Sequence, residues 1–285
     1  MTISAQTVKE LREKTGAGMM DCKKALVEVE GDMEKAVDWL RQKGMAQAAK
    51  TSGRATSEGL VVLVQSSDGR HAALASLQCE TDFVARGEQF QGMVARIAEA
   101  VLAHSPADAD ALAGIVGEDV TQLIASVGEN MQIGRFARHT LAGPNEALGT
   151  YVHSNGKIGV MVHLTCGNAA SVGKPEVAEL AKNLAMQVAA ANPMALDAAS
   201  LSPEAVARER EVYRLKALEE GKPAGIVDKI ADGAVRKFQQ EVCLLEQPYI
   251  KDDKKRISDV VRETAKAIGD VITVTGFTRI QLGQE

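Results

Sequence analysis

The order of hydrophobic and polar positions along the chain predicts a mixed fold of helices and short strands. Apolar residues that recur every three or four positions are typical of amphipathic helices, and they occur in 88–102, 175–191, 224–242 and 257–267. Shorter segments with strand character occupy 60–65, 72–78, 131–140, 150–153, 160–165 and 271–282. We therefore expect an α+β fold.

Two segments, 58–103 and 146–191, are interpreted as copies of one unit. Each contains a strand, a tight turn, a returning strand and a helix. The turns are Asp-Gly in the first copy and Asn-Gly in the second, and both pairs are typical of β-hairpins. The interval from Gly69 to Cys79 equals that from Gly156 to Cys166. This shared register predicts a core of two related α+β halves.

The two copies differ where the second strand ends. The first continues as Glu80-Thr81-Asp82-Phe83-Val84 and the second as Gly167-Asn168-Ala169-Ala170. We interpret the acidic and aromatic residues of the first copy as an insert in a shared scaffold, where a departure from the repeat is a candidate for function. The pattern alone favours a structural role, in which Phe83 packs in the core and Asp82 caps the following helix.

The first 44 residues are predicted to form three short helices. Ser4 is a typical N-cap, and Gly16 is placed to end the first helix. The second helix is expected over about 18–30, and the third from Asp32 to just before Gly44. The next segment, 45–57, has little apolar bulk and is interpreted as a linker that can be partly helical.

Composition and charge argue against several classes of function. The net charge is −5 and aromatic residues make up 3% of the chain, so neither a basic nucleic-acid surface nor a base-stacking platform is expected. The cysteines form no Cys-x-x-Cys pair, the histidines lack metal-ligand spacing, and no phosphate-binding glycine loop or nucleophile elbow occurs. We expect no metal, no cofactor, no membrane-spanning segment and a cytoplasmic location with reduced thiols.

Two further functions stay open from the residues alone. Glu80 and Asp82 are carboxylates two positions apart that could serve acid–base catalysis in a cleft between the halves. Two predicted helices, about 202–220 and 224–242, would form an arm roughly 27 Å long. The second helix carries an apolar stripe that comprises Ile226, Ile230, Ala234 and Phe238. Such a stripe needs a partner, either the neighbouring helix or another protein, and it is typical of a scaffold or chaperone.

Three motifs resemble signatures of the bacterial elongation factor Ts family. The run TGAGMMDCKKAL at 15–26 is similar to the N-terminal signature of that family. The run QCETDFVA at 78–85 is similar to its second signature, and VGEN at 127–130 to a third. The order of the domains also fits across nearly the whole chain.

The resemblance implies a guanine nucleotide exchange factor for elongation factor Tu, without covalent chemistry and without direct contact to nucleotide, nucleic acid or membrane. It implies a three-helix module like a ubiquitin-associated (UBA-like) domain with a linker at 1–54, and a core N-terminal half at 55–143. The first part of the C-terminal half is expected at 144–201, a projecting helical hairpin at 202–241, and a C-terminal module with the end of that half at 242–285. A one-to-one complex and a two-to-two complex joined by dimerisation through the hairpin are both open.

The resemblance assigns the most specific role to Thr81, Asp82, Phe83 and Val84. In the family the Asp-Phe pair pushes between helices of the partner's nucleotide domain, disturbs its Mg²⁺ site and then its phosphate loop. We therefore expect Phe83 to be exposed at a loop tip. The other partner contacts that the resemblance implies are Met19, Met20, Lys23, Val127, Gly128, His153, Tyr249 and Ile250.

Each of those further positions has a structural alternative. At least one of the two methionines is expected to pack inside the small bundle, because adjacent helical residues point in different directions. Lys23 suits a solvated helix face, and Gly128 suits a turn that needs a positive φ. For His153 a structural place in the hairpin and a partner contact are evenly balanced.

Overall fold

The structure of the protein is a computed structural model that describes residues 3–284. Within that range the helices are α1 (Ala5–Thr15), α2 (Met19–Glu28), α3 (Met33–Thr51), α4 (Asp82–Ala85), α5 (Glu88–His104), α6 (Ala109–Val127), α7 (Pro175–Ala191), α8 (Pro203–Glu219), α9 (Ala224–Val242) and α10 (Ile257–Ile268). The strands are β1 (Glu58–Gln65), β2 (His71–Cys79), β3 (Met131–Thr140), β4 (Glu146–Val152), β5 (Ile158–Cys166), β6 (Pro248–Tyr249), β7 (Asp252–Arg256) and β8 (Ile272–Gln281). The predicted mixed α and β composition is confirmed.

The strands form three small sheets, with the orders β1-β2-β3, β4-β5-β8 and β6-β7. In the first sheet β1 and β2 are antiparallel, and Leu60 lies opposite Leu77. The chain divides into two compact units. The first comprises the described residues up to His139 with Val152–Gly159 and Ile280 onward, and the second comprises Thr140–Tyr151 and Val160–Arg279.

Helices α1, α2 and α3 enclose a small core that includes the fully buried Leu11, Cys22 and Leu26. The Ser4 hydroxyl accepts a hydrogen bond from the Thr7 backbone and caps α1, and Gly16 ends that helix in the left-handed conformation. Both residues lie where their sequence signals predict a helix end.

The third helix is longer than its sequence pattern suggests. Instead of ending before Gly44, α3 continues without a break to Thr51, so the expected linker is mostly helical. Residues 45–50 are Met, Ala, Gln and Lys, which are strong helix formers. Gly44 lies inside the helix where α6 packs against it: a Cβ on Gly44 would lie 3.5 Å from that of Ala125, an ordinary van der Waals distance.

The β1-β2-β3 sheet shares a core with α5 and α6. The fully buried Phe90 and Ile97 of α5 lie on the apolar stripe that the sequence predicts for this helix. Residues 109–127 form one 19-residue helix, α6, with Leu112 and Val116 buried.

Helices α8 and α9 form the predicted hairpin, but α9 buries a different face. Val227, Ala231 and Val235 are buried, whereas the predicted stripe has Ile226 exposed and Ile230, Ala234 and Phe238 half-buried. Two adjacent stripes of α9 are both apolar at four-residue spacing, and they lie about 100° apart around the helix. The four-residue period alone does not show which stripe is buried. Packing against α8, where Ala217 is buried, determines it.

The two copies of the internal repeat resemble each other more closely in structure than their sequences suggest. An offset of 87 residues relates β2 to β5 and α5 to α7, and each pair is equal in length. Gly69 and Gly156 have φ values of 69° and 67°. The same offset applies through the segment after the second strand, so the expected insert in the first copy is wrong. The two halves have the same length there and differ in their side chains.

Candidate functional site

The candidate site centres on residues 81–84, the Asp-Phe turn. After β2 ends, the Thr81 hydroxyl oxygen accepts a hydrogen bond from the Val84 backbone at 3.4 Å and caps the short helix α4. Phe83 is 82% exposed. The expected exposure of Phe83 is confirmed and the core alternative is wrong. The expected loop tip is also wrong, because Phe83 lies in the first turn of α4 and Thr81, not Asp82, is the cap.

An exposed phenyl ring contributes nothing to the core of this half. Burying such a ring would stabilise a protein by about 1.5–3 kcal/mol, and the exposed Phe83 ring does not contribute this stabilisation. The Asp82 carboxylate beside it pairs with Arg86 at 3.0 Å on the surface. The turn therefore presents an apolar ring next to a charged pair, an arrangement that suits contact with another molecule.

The second half has a similar capped turn without these side chains. Asn168 caps a short 3-10 helix, Ala169–Ser171, by accepting a hydrogen bond from the Ala170 backbone. Its φ of −125° compares with −124° at Thr81. Alanine stands at both positions that correspond to Asp82 and Phe83. The backbone thus forms without an acidic or aromatic residue.

Glu129 holds the Asp-Phe turn from the side. Its carboxylate accepts a hydrogen bond from the Thr81 backbone N–H at 3.1 Å and another from the Thr81 hydroxyl at 2.6 Å. Glu129 directly follows Gly128, which ends α6 with a φ of 84°. The second and third signature motifs, far apart in sequence, therefore meet at one place.

A second set of bonds joins this place to the end of α3. The buried Asn130 side chain donates to the backbone oxygens of Ser52 and Arg54, at 3.3 and 2.7 Å. The Glu80 carboxylate accepts from the Asn130 backbone N–H at 2.6 Å and from the Arg54 guanidinium at 3.3 Å. The four residues Arg54, Glu80, Glu129 and Asn130 form the junction.

The hydrogen bonds of the junction give a structural role to the Glu80 carboxylate, which the sequence suggests as a candidate for acid–base catalysis. Glu80 bonds a backbone amide and an arginine, while Asp82 pairs with Arg86. Burial and the nearby Glu129 raise the pKa of the Cys79 thiol to about 11. The thiol beside the turn is therefore neutral at pH 7 and is a poor nucleophile.

The N-terminal signature residues lie on the outer face of α2. Met19 is 46% exposed, Met20 is 75% exposed, and Lys23 is exposed. The expected burial of one methionine is wrong, because the core-facing positions of α2 are Cys22, Ala25 and Leu26. The two methionines are in the first turn of α2, ahead of that core stripe.

The remaining predicted contacts lie in both units. Val127 and Gly128 are half-buried beside the junction, where the Gly128 carbonyl accepts a bond from Arg54 at 3.3 Å. His153 is exposed in the β4–β5 hairpin of the first unit. Tyr249 and Ile250 belong to the second unit. The structure thus brings Val127 and Gly128 to the Asp-Phe turn and places Tyr249 and Ile250 in a separate segment.

Buried amides support the predicted contacts in both units. Asn130 hydrogen-bonds the backbone at the junction, and Gln187 hydrogen-bonds the segment that carries Tyr249 and Ile250. The fully buried Gln187 accepts from the Ile250 backbone at 2.9 Å and donates to the Pro248 carbonyl at 3.1 Å. Sequence reasoning missed both amides. The position of Asn130 within the VGEN motif is a sequence signal that could have identified it. Gln187 has no such signal, because a Gln inside a helical stripe is usually solvated.

Among residues 3–284, no group of three His, Cys, Asp or Glu side chains is placed to hold a metal ion. No helix in that range is long and apolar enough to cross a membrane.

Fold and site together define an α+β protein with two related halves, one of which presents an exposed acidic and aromatic turn. A family model described as "Elongation factor TS" matches residues 80–284, and one described as "Elongation factor Ts, mitochondrial, N-terminal" matches residues 1–49. The chain belongs to the elongation factor Ts family.

Curated relatives named "Elongation factor Ts" extend over the whole chain. The relative from Desulfovibrio desulfuricans is 75% identical over 283 residues, which cover 99% of each chain. A relative from Nitratidesulfovibrio vulgaris is 55% identical over 285 residues, covering 100% of this chain and 97% of its own. One from Lawsonia intracellularis is 49% identical and covers both chains fully.

Proposed function

We propose that this chain is a guanine nucleotide exchange factor for elongation factor Tu in translation elongation, acting in the cytoplasm. It binds the GDP form of its partner and promotes release of GDP and its exchange for GTP. The membership in the elongation factor Ts family supports this function. The observation that carries the mechanism is the 82% exposure of Phe83 in a turn whose counterpart in the second half has alanine in place of Asp82 and Phe83.

The proposed mechanism is a displacement of groups that hold the nucleotide. The Mg²⁺ ion and the phosphate-loop donors of a GTPase supply much of the hold on its nucleotide's phosphates. Insertion of Phe83 and Asp82 between helices of the partner would move those groups and loosen the nucleotide without touching it. No bond is made or broken in this step, so the factor needs no active site and no cofactor.

Linkage fixes the thermodynamics of such an exchange. If the factor lowers the partner's affinity for GDP by some ratio, GDP lowers the partner's affinity for the factor by the same ratio. The complex of all three is therefore short-lived, and either GDP or GTP displaces the factor. The direction of net exchange then depends on the ratio of the two nucleotides in the cell.

The proposed contact surface extends beyond the Asp-Phe turn. A UBA-like module with its linker at 1–54 offers the exposed Met19, Met20 and Lys23. The core N-terminal half at 55–143 offers Val127 and Gly128. The surface is completed by His153 from the segment 144–201 and by Tyr249 and Ile250 from the segment 242–285.

The test is release of fluorescent GDP from purified elongation factor Tu. Catalytic amounts of the protein should accelerate release, since one molecule serves many partners in turn. An unchanged release rate would refute the proposed function. A chaperone would instead lower the aggregation of an unfolded client without changing GDP release.

The helical hairpin at 202–241 is proposed to set the stoichiometry of the complex. Val212, Leu215 and Leu218 of α8 are exposed apolar residues on that hairpin. Dimerisation through them would give a two-to-two complex with the partner. Light scattering of the complex, with residues 208–236 replaced by a short glycine linker, tests this: a mass that halves supports dimerisation through the hairpin, and a mass that falls only by the deleted residues contradicts it.

A further inference from the structure

Both halves of the molecule hold their capped turn in the same way. In each half a helix ends at a left-handed glycine, Gly128 or Gly269, and an acidic residue comes next. Glu129 then accepts the backbone N–H of Thr81 at 3.1 Å, and Asp270 accepts that of Asn168 at 2.9 Å. A ten-residue strand, β3 or β8, begins shortly after each acid and pairs with β2 or β5.

Each acid also accepts a side-chain hydrogen bond, Asp270 from Ser171 and Glu129 from the capping residue Thr81. Glu129 accepts the Thr81 hydroxyl proton, with 2.6 Å between the oxygens. A hydroxyl has one proton to donate and two lone pairs. Because Glu129 takes the proton, the lone pairs of Thr81 are left for the Val84 N–H in the first turn of α4. Glu129 therefore fixes both the backbone and the cap of the helix that carries Phe83.

The residue after each acid differs sharply between the halves. Asn130 is 3% exposed and holds the end of α3 through Ser52 and Arg54. The corresponding Val271 is 66% exposed. Only the half that presents Phe83 is thus tied at this position to the long helix of the N-terminal module.

We propose that Glu129 and Asn130 are positioning residues for exchange. Glu129 holds Asp82 and Phe83 in the orientation that perturbs the partner. Asn130 fixes the N-terminal helices, with the exposed face of α2, relative to that turn, so that both engage one partner together. This inference rests on the proposed function and adds two residues to it that do not themselves reach the partner.

The two residues should affect different kinetic quantities. An interaction that matters only when the nucleotide is being loosened changes the maximal release rate at saturating factor, whereas one that aids docking changes the half-saturating concentration. Glu129→Ala should lower the maximal rate by about tenfold, the effect expected when hydrogen bonds to a charged group are lost. Asn130→Ala should raise the half-saturating concentration by a similar factor and alter the maximal rate less.

Asp270→Ala is the matched control. It removes the equivalent acid from the half that carries alanine in its turn, so it should lower the melting temperature about as much as Glu129→Ala does. It should leave the maximal rate and the half-saturating concentration of GDP release unchanged. Glu129→Gln keeps the shape and one acceptor oxygen, and its maximal rate should lie between those of the wild type and Glu129→Ala.

Three outcomes would overturn the proposal: folded Glu129→Ala with the wild-type maximal rate, Asn130→Ala with the wild-type half-saturating concentration, or Asp270→Ala with losses equal to those of Glu129→Ala. If a variant with alanine fails to fold, Glu129→Gln decides, and a maximal rate equal to that of the wild type contradicts the role of Glu129. Failure of the wild-type protein to accelerate release is a different result, since it refutes the proposed function itself.

Discussion

Thr81 and Asn168 occupy the same place in the two halves, two residues after the cysteine that ends a central strand. Each caps a short helix with a side-chain oxygen, and their φ values differ by a single degree, −124° and −125°. The next two residues are Asp82 and Phe83 in one half and two alanines in the other. A capped turn therefore forms in the second half without an acidic and aromatic pair.

The first prediction concerns the stability contributed by Phe83. Phe83→Ala should change the free energy of unfolding by no more than about 0.5 kcal/mol, because the ring is exposed. Phe90→Ala in the same half is the control, since that ring is fully buried and its loss should cost about 3–5 kcal/mol. Denaturant unfolding measures both. A large loss for Phe83→Ala would mean that the ring packs in the native state.

The second prediction compares two glycines, one inside α6 and one at its end. Gly128 has a φ of 84° with no atom near its Cβ position, so Gly128→Ala meets only conformational strain. It should destabilise the protein by about 1–2 kcal/mol. Gly114, inside the same helix and equally unobstructed, should instead gain about 0.5–1 kcal/mol on substitution by alanine. Equal signs for the two variants in thermal unfolding would contradict this interpretation of Gly128.

The third prediction is a loss of stability at high pH. The pKa of Cys79 is raised from 9.0 to about 11, first by burial and then by the charge of Glu129. The unfolded chain then releases this proton near pH 9 while the folded chain retains it, so the folded state loses stability as the pH rises from about 9 to 11.

Cys79→Ala removes this one linkage and retains the other thiols. The melting temperature of the wild type should therefore fall more steeply than that of Cys79→Ala between about pH 8 and about pH 10.5, values that bracket the onset of the shift. Parallel curves for the two proteins would show that the Cys79 thiol ionises normally in the fold.

Much of the fold is readable from local signals in the sequence. The turn glycines, the caps at Ser4 and Gly16, and the apolar stripe of α5 each act within a few residues, so they can be recognised without the structure. The equal interval from Gly69 to Cys79 and from Gly156 to Cys166 reveals the repeat for the same reason. The family motifs then single out the Asp-Phe turn, a choice that patterning alone does not make.

The remainder depends on contacts between distant segments. Glu129 and Thr81 are 48 positions apart, and nothing local to either residue shows that they meet. The buried face of α9 likewise depends on packing against α8. In each case a local pattern permits two outcomes, and tertiary packing selects one.

The most direct test of the central claim is the GDP release rate of elongation factor Tu with the Asp82→Ala, Phe83→Ala double variant. The variant should fold as the wild type does and release GDP at least about tenfold more slowly at equal concentration, as for a residue that dominates an interface. Val271→Ala, which trims another exposed apolar residue, in the second unit, should exchange normally. A folded double variant that releases GDP as fast as the wild type would contradict the account.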